Sequence, residues 1–263
     1  MNIEKILFIG DIIGKPGRIA VHNSLSVLMK EYSPDFIIAN GENAAHGMGI
    51  NPTIAKFLFD IGIDVITSGN HIWDQKQIIG YLSGEKRLLR PANYPAGVPG
   101  FGYGIYKSKS EKKIAVINLE GRVFMKELSD SPFTVSKSII EKIKDDVDVI
   151  IVDFHAEATS EKEALGFYLD GEISALIGTH THVQTNDSII LPKGTAYISD
   201  AGMVGSRYSV LGTQKEIAVN KYLTNMPAKF TPEENNMMLN GVFITVDADT
   251  KLSISIKKIN IDV

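Results

Sequence analysis

The sequence predicts an α/β fold with its strands sandwiched between helices. Short apolar runs alternate with amphipathic stretches along the N-terminal half, as βα units require. A length of 263 residues and an apolar content of 44% are enough for a sizeable core. No internal repeat, low-complexity run or linker divides the chain, so residues 1–263 are expected to form one domain.

The elements follow from local pattern. Residues 5–9 read as a buried strand, and Gly14-Lys15-Pro16-Gly17 breaks the chain after it. Ile19, Leu25, Leu28, Met29 and Tyr32 then recur at near-helical spacing, with His22 on the same apolar side. Residues 35–39 form a second strand. Asn51-Pro52 matches an N-cap followed by proline in the first turn, opening a helix that carries Ile54, Phe57, Leu58 and Ile61 as far as Gly62. Residues 64–68 form a third strand. Between 91 and 104, Gly and Pro interleave with Tyr94, Val98, Phe101 and Tyr103, which reads as an ordered irregular loop. Strands are expected at 113–119, 147–154 and 173–177, and helices at 132–144 and 161–169. Residues 242–246 and 252–259 flank Asp247-Ala248-Asp249-Thr250-Lys251, the pattern of a terminal antiparallel hairpin.

Composition removes several function classes. The net charge of -4 gives no global basic field, which argues against coating long nucleic acid or a membrane surface. Without cysteine there is no disulfide framework, thiolate metal site or cysteine nucleophile. The apolar run Ile6-Leu7-Phe8-Ile9 is far shorter than the roughly 18 residues of a membrane span. A cytoplasmic location is the expectation, and a homo-oligomer is left open.

The most informative feature is how the strands end. Residues 6–9 lead into Gly10-Asp11, and 36–39 into Asn40-Gly41-Glu42-Asn43. Residues 65–68 lead into Gly69-Asn70-His71, 150–154 into His155, and 175–177 into Gly178-Thr179-His180-Thr181-His182. Open α/β sheets bind ligands beyond the carboxyl ends of their strands, so these five ends are expected to deliver their polar residues to one edge. Carboxylates can bridge two divalent ions, Asn adds an amide oxygen and His an imidazole. A sulfur-free set of this kind suits manganese, iron or zinc better than calcium. Singly, Asp11 or Asn43 is as readily a helix cap, and a lone His155 is more often a packing residue. His180-x-His182 is stronger, because alternate residues of an extended segment share a face.

Asp11, Gly41-Glu42-Asn43, Gly69-Asn70-His71, His155 and Gly178-Thr179-His180-Thr181-His182 occur in an order that resembles the calcineurin-like metallophosphoesterases. Arg90-Pro91-Ala92-Asn93-Tyr94-Pro95, the stretch 153–162 and the stretch 178–185 are similar to the YmdB-like branch of that superfamily. The match spans nearly the whole chain. It departs from the wider superfamily in lacking a histidine two residues after Asp11, in having Glu42 where an aspartate is usual, and in having Ile72 after His71. The resemblance implies a four-layer αββα sandwich. It also implies one ion held by Asp11, Glu42, Asn43 and His182, and a second held by Glu42, Asn70, His155 and His180. A hydroxide shared by the ions would attack a small phosphodiester, 2',3'-cyclic nucleotides above all, while His71 protonates the leaving oxygen. Iron or manganese is the implied metal pair, with zinc also compatible.

Other features carry less. Gly10-x-x-x-Gly14-Lys15 lacks a spacer and the Ser/Thr of a nucleoside-triphosphate loop. Lys15 and Arg18 read first as a solvated loop, with contact to a substrate phosphate as the alternative, and His46 is a modest candidate for substrate contact. Asp74 either orients His71 or caps a helix from Gln75. Trp73, Phe101 and Tyr103 have the shape to stack on a base, although packing is the commoner fate. The glycine-rich stretch 200–206 is positioned late enough to close the site from its far side. Two alternatives stay open: a phosphomonoesterase or protein phosphatase, and a regulatory cyclic-nucleotide-binding protein with weak catalysis.

Overall fold

The structure, a computed structural model, describes residues 2–263. Two sheets pack face to face, each covered on its outer side by helices. Strands β1 (Ile3–Ile9), β2 (Asp11–Ile12), β3 (Phe36–Asn40) and β4 (Val65–Thr67) belong to the first sheet. Helices α1 (Gly14–Tyr32), α2 (Pro52–Asp60) and the short α3 (Ile78–Leu82) lie along this part of the chain. The second sheet contains β5 (Tyr103–Lys107), β6 (Lys113–Glu120), β7 (Val149–His155), β8 (Ala175–Thr179), β9 (Ile189–Ile190) and β10 (Ala196–Ile198), with α4 (Pro132–Ile143) and α5 (Thr159–Tyr168) between strands. The chain then returns to the first sheet through β11 (Met203–Ser206), α6 (Lys215–Thr224), β12 (Met237–Asp247) and β13 (Leu252–Asp262).

The first sheet runs β2-β11-β12-β1-β3-β4, with β13 also paired to β12, and the second runs β5-β6-β7-β8-β10-β9. Three apolar clusters define the layers. Ile6, Phe8, Phe36 and Ile38 of the first sheet meet Val116, Ile151 and Ile177 of the second in the interior. Leu7, Ile9 and Ile37 face Val21, Leu25 and Leu58 of α1 and α2. Ile117, Val152 and Phe154 face Ile140 and Leu165 of α4 and α5. This is the αββα arrangement. It explains why β3, β7 and β8 are buried along their whole length: strands covered on both faces read as continuous apolar runs.

The structure revises some expectations. Gly14 to Gly17 does not interrupt the chain but opens α1. Pro16 sits in the first turn, where its missing N–H costs nothing, and Gly17 packs so closely on the Val204 carbonyl that a Cβ would collide. Asn51 does cap α2, its side chain accepting from the Ile54 N–H at 2.9 Å. The irregular loop ends one residue before β5, which begins at Tyr103. The terminal hairpin forms as β12 and β13. The five polar strand ends are shared between the two sheets of the sandwich: β1, β3 and β4 belong to the first, β7 and β8 to the second.

Candidate metal centre

Parallel pairing in each sheet brings the carboxyl ends of these strands to a common rim. Gly69 is what lets the two sheets meet there. A Cβ at this position would strike Glu42 Oε2 and the His155 ring, so only glycine allows the carboxylate from one sheet to reach the imidazole from the other. Glu42 Oε2 indeed lies against His155 Nε2. His155 Nε2 faces His180 Nδ1 at 3.0 Å. Glu42, His155 and His180 each place one ligand atom within 4.8 Å of the others.

The other ring nitrogens are engaged elsewhere, which assigns the tautomers. His155 Nδ1 donates to Thr179 Oγ1 at 2.9 Å, and that hydroxyl donates to Asp153 Oδ1 at 2.7 Å. Asn40 Nδ2 donates to Asp153 Oδ2 at 3.0 Å. His180 Nε2 lies 3.1 Å from Glu157 Oε2, and His182 Nδ1 donates to the Leu211 carbonyl at 3.1 Å. The lone pairs of His155 Nε2 and His180 Nδ1 therefore point at each other and at a carboxylate. That arrangement is repulsive unless a cation lies among them.

On the other side, Asp11 Oδ2 accepts from the His180 backbone N–H at 3.3 Å, and the Asn43 amide lies 3.1 Å from His182 Nε2. Asp11 Oδ1, both Glu42 oxygens and Asn70 Oδ1 are buried without any hydrogen-bond donor. Stranded buried oxygens are costly and rare. These four belong to three of the expected ligands, so the donor set fits divalent cations.

The electrostatics agree. Burial pushes the Asp11 carboxyl well above its usual range, and the nearby Asp200, Glu42 and Asp153 charges add to it. Burial raises Glu42 to about 7 and Asp153 to about 7. Burial also holds the His155, His180 and His182 imidazoles below their ordinary value. Unprotonated imidazoles are in their ligating form, and the carboxylates lack the positive charge that a metal ion brings.

His71 stands at the rim, about a third exposed. Its Nδ1 is 2.7 Å from Asp74 Oδ2 and its Nε2 is 3.8 Å from Glu42 Oε1. Of the two readings for Asp74, the structure supports contact with His71: α3 starts at Ile78, preceded by Gln77. Neither Asp11 nor Asn43 caps a helix; α1 follows Ile13. The stretch 200–206 does adjoin the site, since Met203 pairs with Asp11.

Two sequence expectations fail. His22 is exposed, stacked on Phe57 at 6.1 Å, because the buried stripe of α1 runs through Ala20, Val21, Ser24, Leu25 and Leu28. Arg18 is not simply solvated: it is half-buried, and its guanidinium donates to the Ala44 carbonyl in the loop that carries Glu42 and Asn43. Trp73 follows the packing alternative: it stacks on Tyr94 at 6.2 Å and packs against the core. His46 is exposed, with φ 56°. Sequence reasoning assigned no role to Asp153, Thr179 or Glu157. The detectable signal was Asp153 itself, a carboxylate inside a strand that is otherwise apolar up to His155.

The model of the family described as YmdB-like protein matches residues 7–259. A Bacillus subtilis (strain 168) protein named 2',3'-cyclic-nucleotide 2'-phosphodiesterase is 48% identical over 258 residues, covering 98% of this chain and 97% of its own. A crystal structure of a novel phosphatase from Mycoplasma pneumoniae superposes with a TM-score of 0.93 at 38% identity, covering 100% of this chain and 94% of that one. A hypothetical protein from Thermus thermophilus gives a TM-score of 0.90 at 37% identity, covering 98% of this chain and 99% of that one.

Proposed function

Because the chain belongs to the YmdB-like branch of the calcineurin-like metallophosphoesterases, we propose that it is a dinuclear metal-dependent phosphodiesterase acting on small phosphodiesters, 2',3'-cyclic nucleotides foremost. The observation that carries this reading is the cluster of buried, donorless oxygens of Asp11, Glu42 and Asn70 set against unprotonated imidazoles. Asp11, Glu42, Asn43 and His182 would hold one ion, and Glu42, Asn70, His155 and His180 the other. Iron or manganese suits these oxygen and nitrogen donors, and zinc is compatible with them. When bound, the pair supplies an activated water near neutral pH and neutralises charge building up on the phosphate.

The remaining steps belong to this chain's own side chains. In the doubly protonated form that a proton donor requires, the His71 Nδ1–H is held by Asp74, and the Nε2–H faces the centre, where it gives its proton to the leaving oxygen and leaves a neutral imidazole. The Asp153–Thr179 relay and Glu157 orient the His155 and His180 rings. A cleft of about 660 Å³ borders His182 and is lined by Gln184, Arg207, Asn240 and Lys258, a size and polarity suited to a nucleotide.

Rates on 2',3'-cyclic AMP, bis-p-nitrophenyl phosphate and a phosphopeptide test the proposal. Highest kcat/KM on the cyclic nucleotide supports it. Preference for the phosphopeptide would overturn it in favour of a phosphatase, the activity named for the Mycoplasma pneumoniae neighbour. Tight binding of cyclic nucleotide without turnover would overturn it in favour of a regulatory binding protein.

A further inference from the structure

Two of the proposed ligands sit in backbone conformations that side chains resist. His180 has φ 98° and His182 φ 66°, both in the left-handed region. A non-glycine residue stays there only where its surroundings hold it. The residue between them supplies the hold. Thr181 donates its backbone N–H at 2.9 Å and its hydroxyl at 2.7 Å to Asp200 Oδ2. The same oxygen accepts from the Lys162 ammonium at 3.1 Å, and Asp200 Oδ1 accepts from the Gly202 N–H at 2.8 Å.

Lys162 is 1% exposed and Asp200 0%. A buried ion pair is a poor source of net stability, because desolvation offsets the attraction and apolar residues commonly replace it without loss. Its presence calls for a reason other than stability. Lys162 comes from α5, Asp200 follows β10, and Thr181 follows β8, so three separate elements are tied at one carboxylate. The tie continues to the other sheet: the Asp11 N–H donates to the Gly202 carbonyl at 3.0 Å, and the Met203 N–H to the His182 carbonyl at 3.1 Å.

We infer that the buried Lys162–Asp200 pair is the positioning device of the metal centre, fixing His180 and His182 through Thr181 and the Asp11 strand through Gly202. The inference rests on the dinuclear reading above. Neither Lys162 nor Asp200 is a ligand in it. They act by presenting a charged, fully engaged acceptor on which the 180–182 turn closes.

The test reads metal affinity and metal-free stability separately. Metal-free wild type, Thr181→Val, Thr181→Ser and Lys162→Met are titrated with Mn²⁺ in competition with a chromogenic chelator, and each is melted in EDTA. The expected result for Thr181→Val is a metal-free melting temperature within about 4 °C of wild type, with Mn²⁺ bound roughly ten- to hundredfold more weakly. Thr181→Ser, which keeps the hydroxyl, should recover most of that affinity. Lys162→Met should weaken Mn²⁺ binding at least as much as Thr181→Val; if it does not fold, the threonine pair still decides. Wild-type affinity in Thr181→Val, or equal losses in the valine and serine variants, would overturn the inference. So would an affinity loss matched by an equal loss of metal-free stability, the mark of a merely structural contact. A wild-type protein that takes up no Mn²⁺ would instead defeat the dinuclear reading itself.

Discussion

Replacing Glu42 with Gln should make the metal-free protein more stable while removing its metal-binding capacity. The magnitude follows from the buried carboxyl. Desolvation, partly countered by His71 and His182, moves its pKa from 4.5 to about 7. A difference of roughly 2.5 in pKa corresponds to about 3 kcal/mol. Below pH 4.5 the group is protonated in folded and unfolded chains alike and contributes nothing. Between 4.5 and about 7 the unfolded chain releases its proton while the folded chain keeps it, so stability falls as pH rises. Above 7 the full penalty is present. Glutamine has no charge to desolvate and nearly the same volume, so the metal-free Glu42→Gln variant should melt about 6–12 °C above wild type at pH 8. At pH 4.5 the two should melt together. Adding Mn²⁺ should reverse the order, because only wild type then gains from the ions. Thermal melts in EDTA and in Mn²⁺ at the two pH values, with metal analysis of each sample, provide the assay. A metal-free variant no more stable than wild type at pH 8, or one that still binds two ions, would refute the reasoning.

Other perturbations separate the roles at the rim. His71→Ala should keep both ions and lose about 10²–10⁴-fold in kcat on a substrate with a poor alkoxide leaving group; a drop in metal content would contradict its assignment as proton donor. Asp74→Asn should lower kcat about tenfold with little change in KM, since only the 2.7 Å contact to His71 is altered; an unchanged kcat would make that contact incidental. His180→Ala should deplete bound metal, and intact metal content would remove it from the ligand set. Gly69→Ala should also lose metal, because the added Cβ occupies the space of the Glu42 carboxylate and the His155 ring. Full occupancy in that variant would show that the rim can relax around the extra carbon.

Much of the site was legible because a polar residue ending an apolar run marks the point where a buried strand emerges. That signal singled out Asp11, Glu42, Asn70, His155 and His180 as candidates without any distance information, and the structure brings Glu42, His155 and His180 together. It could not divide the strands between two sheets. A strand buried on both faces has the same apolar pattern whichever sheet it joins, so β1 and β7 look alike. Elements without a core face were missed for the opposite reason: β5 is half-exposed along its length and α6 buries only Ala218. In α1 the apolar residues wrap far enough round that Ile19 suggested the wrong inward face, and His22 followed it. The supporting contacts were invisible because they join residues far apart in sequence. Asn40 and Asp153 are 113 positions apart, and Lys162 and Asp200 are 38.

Anomalous scattering from a crystal grown with Mn²⁺ tests the central claim most directly. The account predicts two peaks about 3.5–4 Å apart, with the Glu42 carboxylate reaching both. Asp11, Asn43 and His182 should complete one coordination sphere, and Asn70, His155 and His180 the other. A single peak, or two peaks that do not share Glu42, would contradict it.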